Sequence, residues 1–240
     1  MQLKQIYKIL DELSPFDLQA SWDNSGLLVG EMDDEVEKIY LSLDVDSLLL
    51  DEIEEKSLII THHPLIFSGL KKLDSSVYPS SLLKKMIKKD ISLIAMHTNF
   101  DVTHLNRYVA SEVLGYKNIE CDEYICYFDV DCSFDELSLH VKNSLGLEIL
   151  KVVESKQDIK RCAITTGSGG DLIREVKADC FLSGDFKYHQ ALEAKENKLN
   201  LIDIEHFASE SHFPACLAKN LENSPLKAIM TNSKNPFQYK

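Results

Sequence analysis

Leu58-Ile59-Ile60-Thr61-His62-His63-Pro64 joins an apolar run to two adjacent imidazoles and a proline. The run is too short for a helix and is rich in β-branched residues, so it predicts a buried strand over 57–61. Two imidazoles at the end of a buried strand are costly to leave unpaired. A metal ion is one natural partner, because neutral imidazole is the commonest metal ligand in proteins.

Outward from this run, strands and helices alternate. The N-terminal residues 3–13 place Leu3, Ile6, Tyr7, Leu10 and Leu13 at helical spacing before Ser14-Pro15. Strands are predicted over 27–29, 38–44 and 91–96, and helices over 47–55, 80–89 and 103–114. The pattern restarts near Tyr124, with strands over 125–130, 150–154, 161–166, 180–183, 199–204 and 226–230. Helices are expected over 133–145, 171–178, 188–196 and 208–221. Such alternation indicates an α/β protein with mostly parallel strands. In parallel α/β sheets ligands bind beyond the carboxyl ends of strands. His62, His63, His97, Asp101, His206 and Glu210 all follow such ends.

The chain of 240 residues carries a net charge of −13, which argues against binding to nucleic acid or anionic membrane. No apolar run is long enough for a signal peptide or a membrane span. The cysteines are Cys121, Cys126, Cys132, Cys162, Cys180 and Cys216, with no Cys-x-x-Cys among them. Their scatter predicts reduced core thiols, and a cytoplasmic protein.

Successive side chains in an extended strand point to opposite faces. His62 and His63 are therefore expected to serve two different ions. His206 and Glu210 lie four apart, on one face of a helix, and Asp101 is the candidate bridging carboxylate. Mixed imidazole and carboxylate donors suit Zn, Fe or Mn better than Ca or Mg. Two such ions about 3.5–4 Å apart activate water and stabilise developing negative charge, so hydrolysis is the expected reaction class. Any one of these histidines alone could be a hydrogen-bonded core group; the joint pattern carries the reading. His97 reads as a proton shuttle or substrate contact, with ligation as the alternative. Asp185 and His189, one helical turn apart, read as further catalytic candidates, against a local cap and a satisfied helix histidine. His140 and His212 read as helix or surface residues. Gly167-Ser168-Gly169-Gly170 either cradles a phosphate at a helix N-terminus or makes a tight turn that needs positive φ.

Taken in order, several segments resemble the GTP cyclohydrolase I type 2 family, also described as Nif-like dinuclear metal-centre proteins. They are Trp22-Asp23-Asn24-Ser25-Gly26-Leu27, Leu43-Asp44-Val45, Thr61-His62-His63-Pro64-Leu65-Ile66-Phe67 and His97-Thr98-Asn99-Phe100-Asp101. Gly167-Ser168-Gly169, Ser183-Gly184-Asp185 with Tyr188-His189, and His206-Phe207-Ala208-Ser209-Glu210 complete the set. The resemblance covers nearly the whole chain. It implies two similar α/β domains with a dinuclear metal site in the cleft between them, and a ring-shaped homohexamer. It also implies the ligands His62, His63, Asp101, His206 and Glu210. The implied reaction opens the guanine imidazole ring of GTP, giving formate and dihydroneopterin triphosphate.

One departure concerns the residues after Asp101. The family usually has small residues there, often Gly-Gly, before an Asn-Asp pair, whereas this chain has Val102-Thr103-His104-Leu105-Asn106-Arg107. His104 adds bulk, which bears on the shape of the substrate site. The expected domains are 1–122 with 203–240, and 123–202, the C-terminal segment returning to the first domain. A metal-binding scaffold acting through protein partners, or a phosphoesterase, is the alternative function.

Overall fold

The computed structural model describes residues 1–231 and 233–240. It divides into two compact units, 1–100 with 213–240, and 101–212. Relative to the boundaries expected from sequence, segments 101–122 and 203–212 group with the second unit.

The first unit contains a five-stranded sheet in the order β1-β4-β3-β2-β11. These strands are β1 (Gly26–Val29), β2 (Lys38–Ser42), β3 (Ser57–Thr61), β4 (Ser92–Ala95) and β11 (Ala228–Met230). Pairing is parallel from β4 through β3 and β2 to β11. Only the edge strand β1 runs antiparallel, against β4. Every residue of β3 is buried, because neighbouring strands flank it and both sheet faces are covered. Leu58, Ile59 and Ile60 are each fully buried, worth about 1.5–3 kcal/mol apiece. One face is covered by α2 (Ser47–Glu52) and α3 (Ser80–Lys88), whose Leu49, Leu50, Leu82, Leu83 and Met86 pack with Tyr40, Ile59 and Leu93. The helix α1 (Leu3–Leu13) buries Leu3, Ile6 and Leu10, as its spacing predicts.

The second unit opens with a helical stretch, α4 (101–113), that contains wide π-type turns at Asp101–Leu105 and Val109–Val113. Its six-stranded sheet has the order β5-β6-β8-β9-β10-β7. The strands are β5 (Glu120–Asp122), β6 (Ile125–Ser133), β7 (Lys151–Val153), β8 (Asp158–Ile164), β9 (Cys180–Ser183) and β10 (Asn200–Asp203). The central strands β8, β9 and β10 are parallel, while the flanking strands pair antiparallel. One face carries Ile125, Ala163, Phe181 and Leu201 against Ala194 of α6 (Tyr188–Glu196). A further helix of this unit is α5 (Phe134–Ser144), started by a capping box in which the Ser133 hydroxyl accepts from Glu136 N at 3.2 Å.

Three expectations are corrected. The helix predicted over 171–178 is a single 3₁₀ turn at Gly170–Leu172; Leu172, Ile173, Val176 and Ala178 still pack on the core without it. The helix predicted over 208–221 is two helices, α7 (His206–Glu210) and α8 (Phe213–Leu221). Pro214 explains the break, since it has no N–H and sits in the first turn of α8. The cysteines are not all reduced thiols: Cys121 and Cys126 face each other across the β5–β6 hairpin and form a disulfide. Cys162, Cys180 and Cys216 are free and buried, and Cys132 is free and half-buried. Among the described residues no helix is long and apolar enough to cross a membrane.

Candidate metal centre

In the first unit, strand register delivers three imidazoles to one place. β3 ends at Thr61, opposite Ser42 of β2 on one side and Ala95 of β4 on the other. The next residue, His62, is fully buried and leans towards β4, where its Nδ1 donates to the Met96 carbonyl at 2.9 Å. His63 leans the other way, and its Nδ1 donates to Asp44 Oδ1 at 2.7 Å, just past β2. Asp44 Oδ2 also accepts from the Ser233 hydroxyl at 3.0 Å. His97, two residues past β4, donates through Nδ1 to Asp23 Oδ1 at 2.8 Å. The candidate ligand nitrogens of His62, His63 and His97 all lie within 4.8 Å of one another.

In each of the three the Nδ1 faces an oxygen that can only accept, so Nδ1 carries a proton. This is the arrangement that orients a metal-ligating histidine and raises its basicity. Asp23 is the most enclosed of the supporting groups, its side chain fully buried. Burial alone would raise its pKa. Hydrogen bonds from His97, the Thr98 hydroxyl and the Asn24 amide outweigh that and hold the carboxyl well below the usual range. Asp23 and Asp44 fall in segments that carry the family resemblance, but no spacing rule assigns them a role. Their signal is only that each acid stands at a turn or strand end.

The second unit carries a different set. Asp101, at the start of α4, is buried. The Thr166 hydroxyl lies 3.3 Å from Asp101 Oδ1 and 2.8 Å from Asn106 Oδ1, one proton between two acceptors. Asn106 Oδ1 also accepts from Thr166 N at 2.7 Å. On α7, His206 Nε2 lies 2.9 Å from Glu210 Oε2, four residues on. His206 Nδ1 donates to Asp185 Oδ2 at 2.7 Å, just beyond β9. Carboxylate oxygens of Asp101 and Glu210 come within 4.8 Å of each other.

Gly167 makes room for this set. Its φ is +65°, and a Cβ added there would stand 2.0 Å from Glu210 Oε1. The Gly167–Gly170 segment is therefore a positive-φ turn fitted under a carboxylate. Its amides at Gly167 and Gly169 already donate to Ser209 Oγ (3.0 Å) and Ser183 Oγ (2.8 Å). No helix follows it, so the phosphate-cradle reading is corrected. Asp185 reaches the site as the partner of His206. His189 does not join it: it is exposed on α6, its ring 5.3 Å from that of Tyr188. His104 is half-buried on α4, and burial lowers its pKa. His140 Nε2 donates to the Leu114 carbonyl at 2.8 Å, and His212 is half-buried in the link after α7.

A family model, Duf34/NIF3 (NGG1p interacting factor 3), matches residues 1–236. A Campylobacter jejuni protein described as a GTP cyclohydrolase 1 type 2 homolog is 58% identical over 240 residues, covering all of both chains. A Helicobacter pylori protein described as GTP cyclohydrolase 1 type 2 is 40% identical over 238 residues, covering 98% of each. Among solved structures, a Staphylococcus aureus hypothetical protein matches with TM-score 0.89 at 30% identity, covering 100% of this chain and 99% of its own. Reduced HcgD from Methanocaldococcus jannaschii matches with TM-score 0.82 at 26% identity over 97% of each chain.

Proposed function

Because this chain belongs to the Duf34/NIF3 family, we propose that it is a hydrolase dependent on two divalent metal ions, acting on GTP to give formate and 7,8-dihydroneopterin triphosphate. The observation that carries the reading is the support behind the imidazoles. Each of His62, His63, His97 and His206 is held through Nδ1 by an oxygen partner. The proposed ligands are His62, His63, Asp101, His206 and Glu210. Of these, His62 and His63 belong to the first unit, while the second supplies the His206 imidazole and the carboxylates of Asp101 and Glu210. This donor chemistry fits Zn, Fe or Mn. When bound, such ions supply Lewis acidity for water activation and neutralise developing negative charge.

The protein's own groups do the positioning. The Met96 carbonyl, Asp44 and Asp185 fix the tautomers of His62, His63 and His206. His97 is the residue assigned to proton transfer. Its Nε2 accepts a proton while Asp23, kept ionised, stabilises the resulting imidazolium. Asp185 acts on the reaction through His206. The same reading includes a homohexameric ring, which sedimentation analysis checks. It also includes cytoplasmic residence, which cell fractionation checks.

Incubation of the purified protein with GTP and Zn²⁺, Fe²⁺ or Mn²⁺ is expected to release formate, and His63→Ala is expected to abolish the release. Absence of formate with all three metals rejects the cyclohydrolase. Metal bound at stoichiometry with no turnover on nucleotides or phosphoesters favours the scaffold instead.

A further inference from the structure

Trp22 and Phe67 are among the large apolar side chains left in solvent, 61% and 52% exposed. They are neighbours, with ring centroids 5.9 Å apart and planes inclined at 46°. Both also adjoin His97. Its imidazole lies 6.2 Å from the Trp22 ring and 6.4 Å from the Phe67 ring, edge-on to each. The pair therefore forms an open aromatic wedge on the first unit, bordering the imidazole cluster.

The wedge stands on a fixed frame. Asp23 N donates to Ala20 O at 2.9 Å, and Ala20 N donates to the Thr98 hydroxyl at 2.9 Å. The Asp23 carboxylate accepts from His97, Thr98 N and the Ser25 hydroxyl. Ser25 N donates to Gln19 Oε1 at 2.8 Å, and Asn24 Nδ2 donates to the Ile66 carbonyl, next to Phe67. One acid thus aligns His97 and anchors the turn that carries Trp22, while the following asparagine ties that turn to the segment carrying Phe67. An indole held out of the core on a rigid turn, beside a second exposed ring, is a surface prepared for an apolar face.

We propose that Trp22 and Phe67 are specificity-determining residues that stack the flat heteroaromatic base of the substrate and hold it against His97. The occupant is a purine-type ring. It has two π-faces for an inclined pair of aromatics, and polar edge atoms that an imidazole edge-on to the pair can meet. A second protein chain would instead be expected to bring aliphatic side chains, and it is the competing occupant in the test. This inference rests on the proposed nucleotide hydrolase and deepens it. The phosphates are left to other contacts, consistent with the glycine turn being occupied by Ser183 and Ser209.

Trp22 is the single tryptophan in the chain, so its emission reports this wedge alone. Full-chain protein is titrated with guanosine, GTP and inorganic triphosphate while Trp22 fluorescence is followed. Guanosine and GTP are expected to quench it saturably, and triphosphate to leave it unchanged. Phe67→Ala keeps the reporter and is expected to weaken guanosine binding about tenfold, while Phe67→Tyr restores it. Trp22→Phe, followed by calorimetry, is expected to retain binding, and Trp22→Ala to lose about tenfold. Unchanged emission with guanosine overturns the proposal, as does an equal response to triphosphate. Emission that follows protein concentration without nucleotide assigns the wedge to a second chain. Formate release is scored separately. Quenching without formate rejects the cyclohydrolase and keeps the stacking site; formate with unchanged emission does the reverse.

Discussion

The donor clusters of the two units are built on different principles. In the first unit, three imidazoles stand at the ends of buried parallel strands, and the register of β2, β3 and β4 sets where each one leans. In the second, His206 and Glu210 share one face of a five-residue helix, and their placement depends on a glycine turn and an acid from another strand end. The contrast extends to the supporting carboxylates. Asp23, behind His97, has a side chain with no exposure, whereas that of Asp185, behind His206, is 54% exposed. Inside a sheet the ligand scaffold and the core are one structure. On a short helix the ligands are held by contacts that the core can lose.

That contrast can be broken by three substitutions, taken from the largest effect down. Gly167→Ala forces a Cβ against the Glu210 carboxylate in a left-handed backbone; it is expected to cost about 4 kcal/mol in urea unfolding and to displace Glu210, halving the metal bound per chain. If the variant unfolds like the native protein, the second half is not built around this turn. Exchange of the two supporting acids sharpens the point. Asp23→Ala strands buried donors on His97 and Thr98 and is expected to cost about 3 kcal/mol of stability. Asp185→Ala is expected to leave the unfolding midpoint nearly unchanged while weakening metal affinity about 10–100-fold, seen in chelator competition. Equal losses of stability for both would erase the distinction.

The smallest effect concerns His104. Burial lowers its pKa below the ordinary value of about 6.5. Through the interval between its lowered pKa and that value the unfolded chain binds more protons, so stability rises with pH there and falls as pH drops. Replacement by Gln is expected to flatten thermal stability below about pH 6.5 by a few tenths of a kcal/mol. A steeper acid slope in the variant would contradict this.

Much of the first half was legible in the sequence because central strands of a parallel sheet are apolar on both faces, so Leu58-Ile59-Ile60 and Leu93-Ile94-Ala95 announce themselves. The donors after them, His62, His63 and His97, could be read as strand-end chemistry for the same reason. The grouping of Asp101, His206 and Glu210 in the second unit could be anticipated only in part. The i, i+4 spacing joins His206 to Glu210, but nothing local says that Gly167 must lie beneath that carboxylate. The helix expected after Gly170 failed because Ile173 and Val176 find core contacts without helical hydrogen bonds. The disulfide was hidden because β5 is a short strand of Glu, Cys and Asp, with no apolar alternation to mark it. The roles of Asp23 and Asp44 appear only when tertiary contacts bring acids against histidines 74 and 19 residues away.

Ser209 joins two elements of the second unit. Its hydroxyl donates to the His206 carbonyl at 2.9 Å and accepts from Gly167 N at 3.0 Å. The glycine turn and the first residue of α7 are thereby latched to a common post, the residue next to Glu210. A disturbance on either side is transmitted to both donors at once, so in the proposed centre His206 and Glu210 are expected to engage a cation together, without a lingering state that keeps the imidazole and drops the acid.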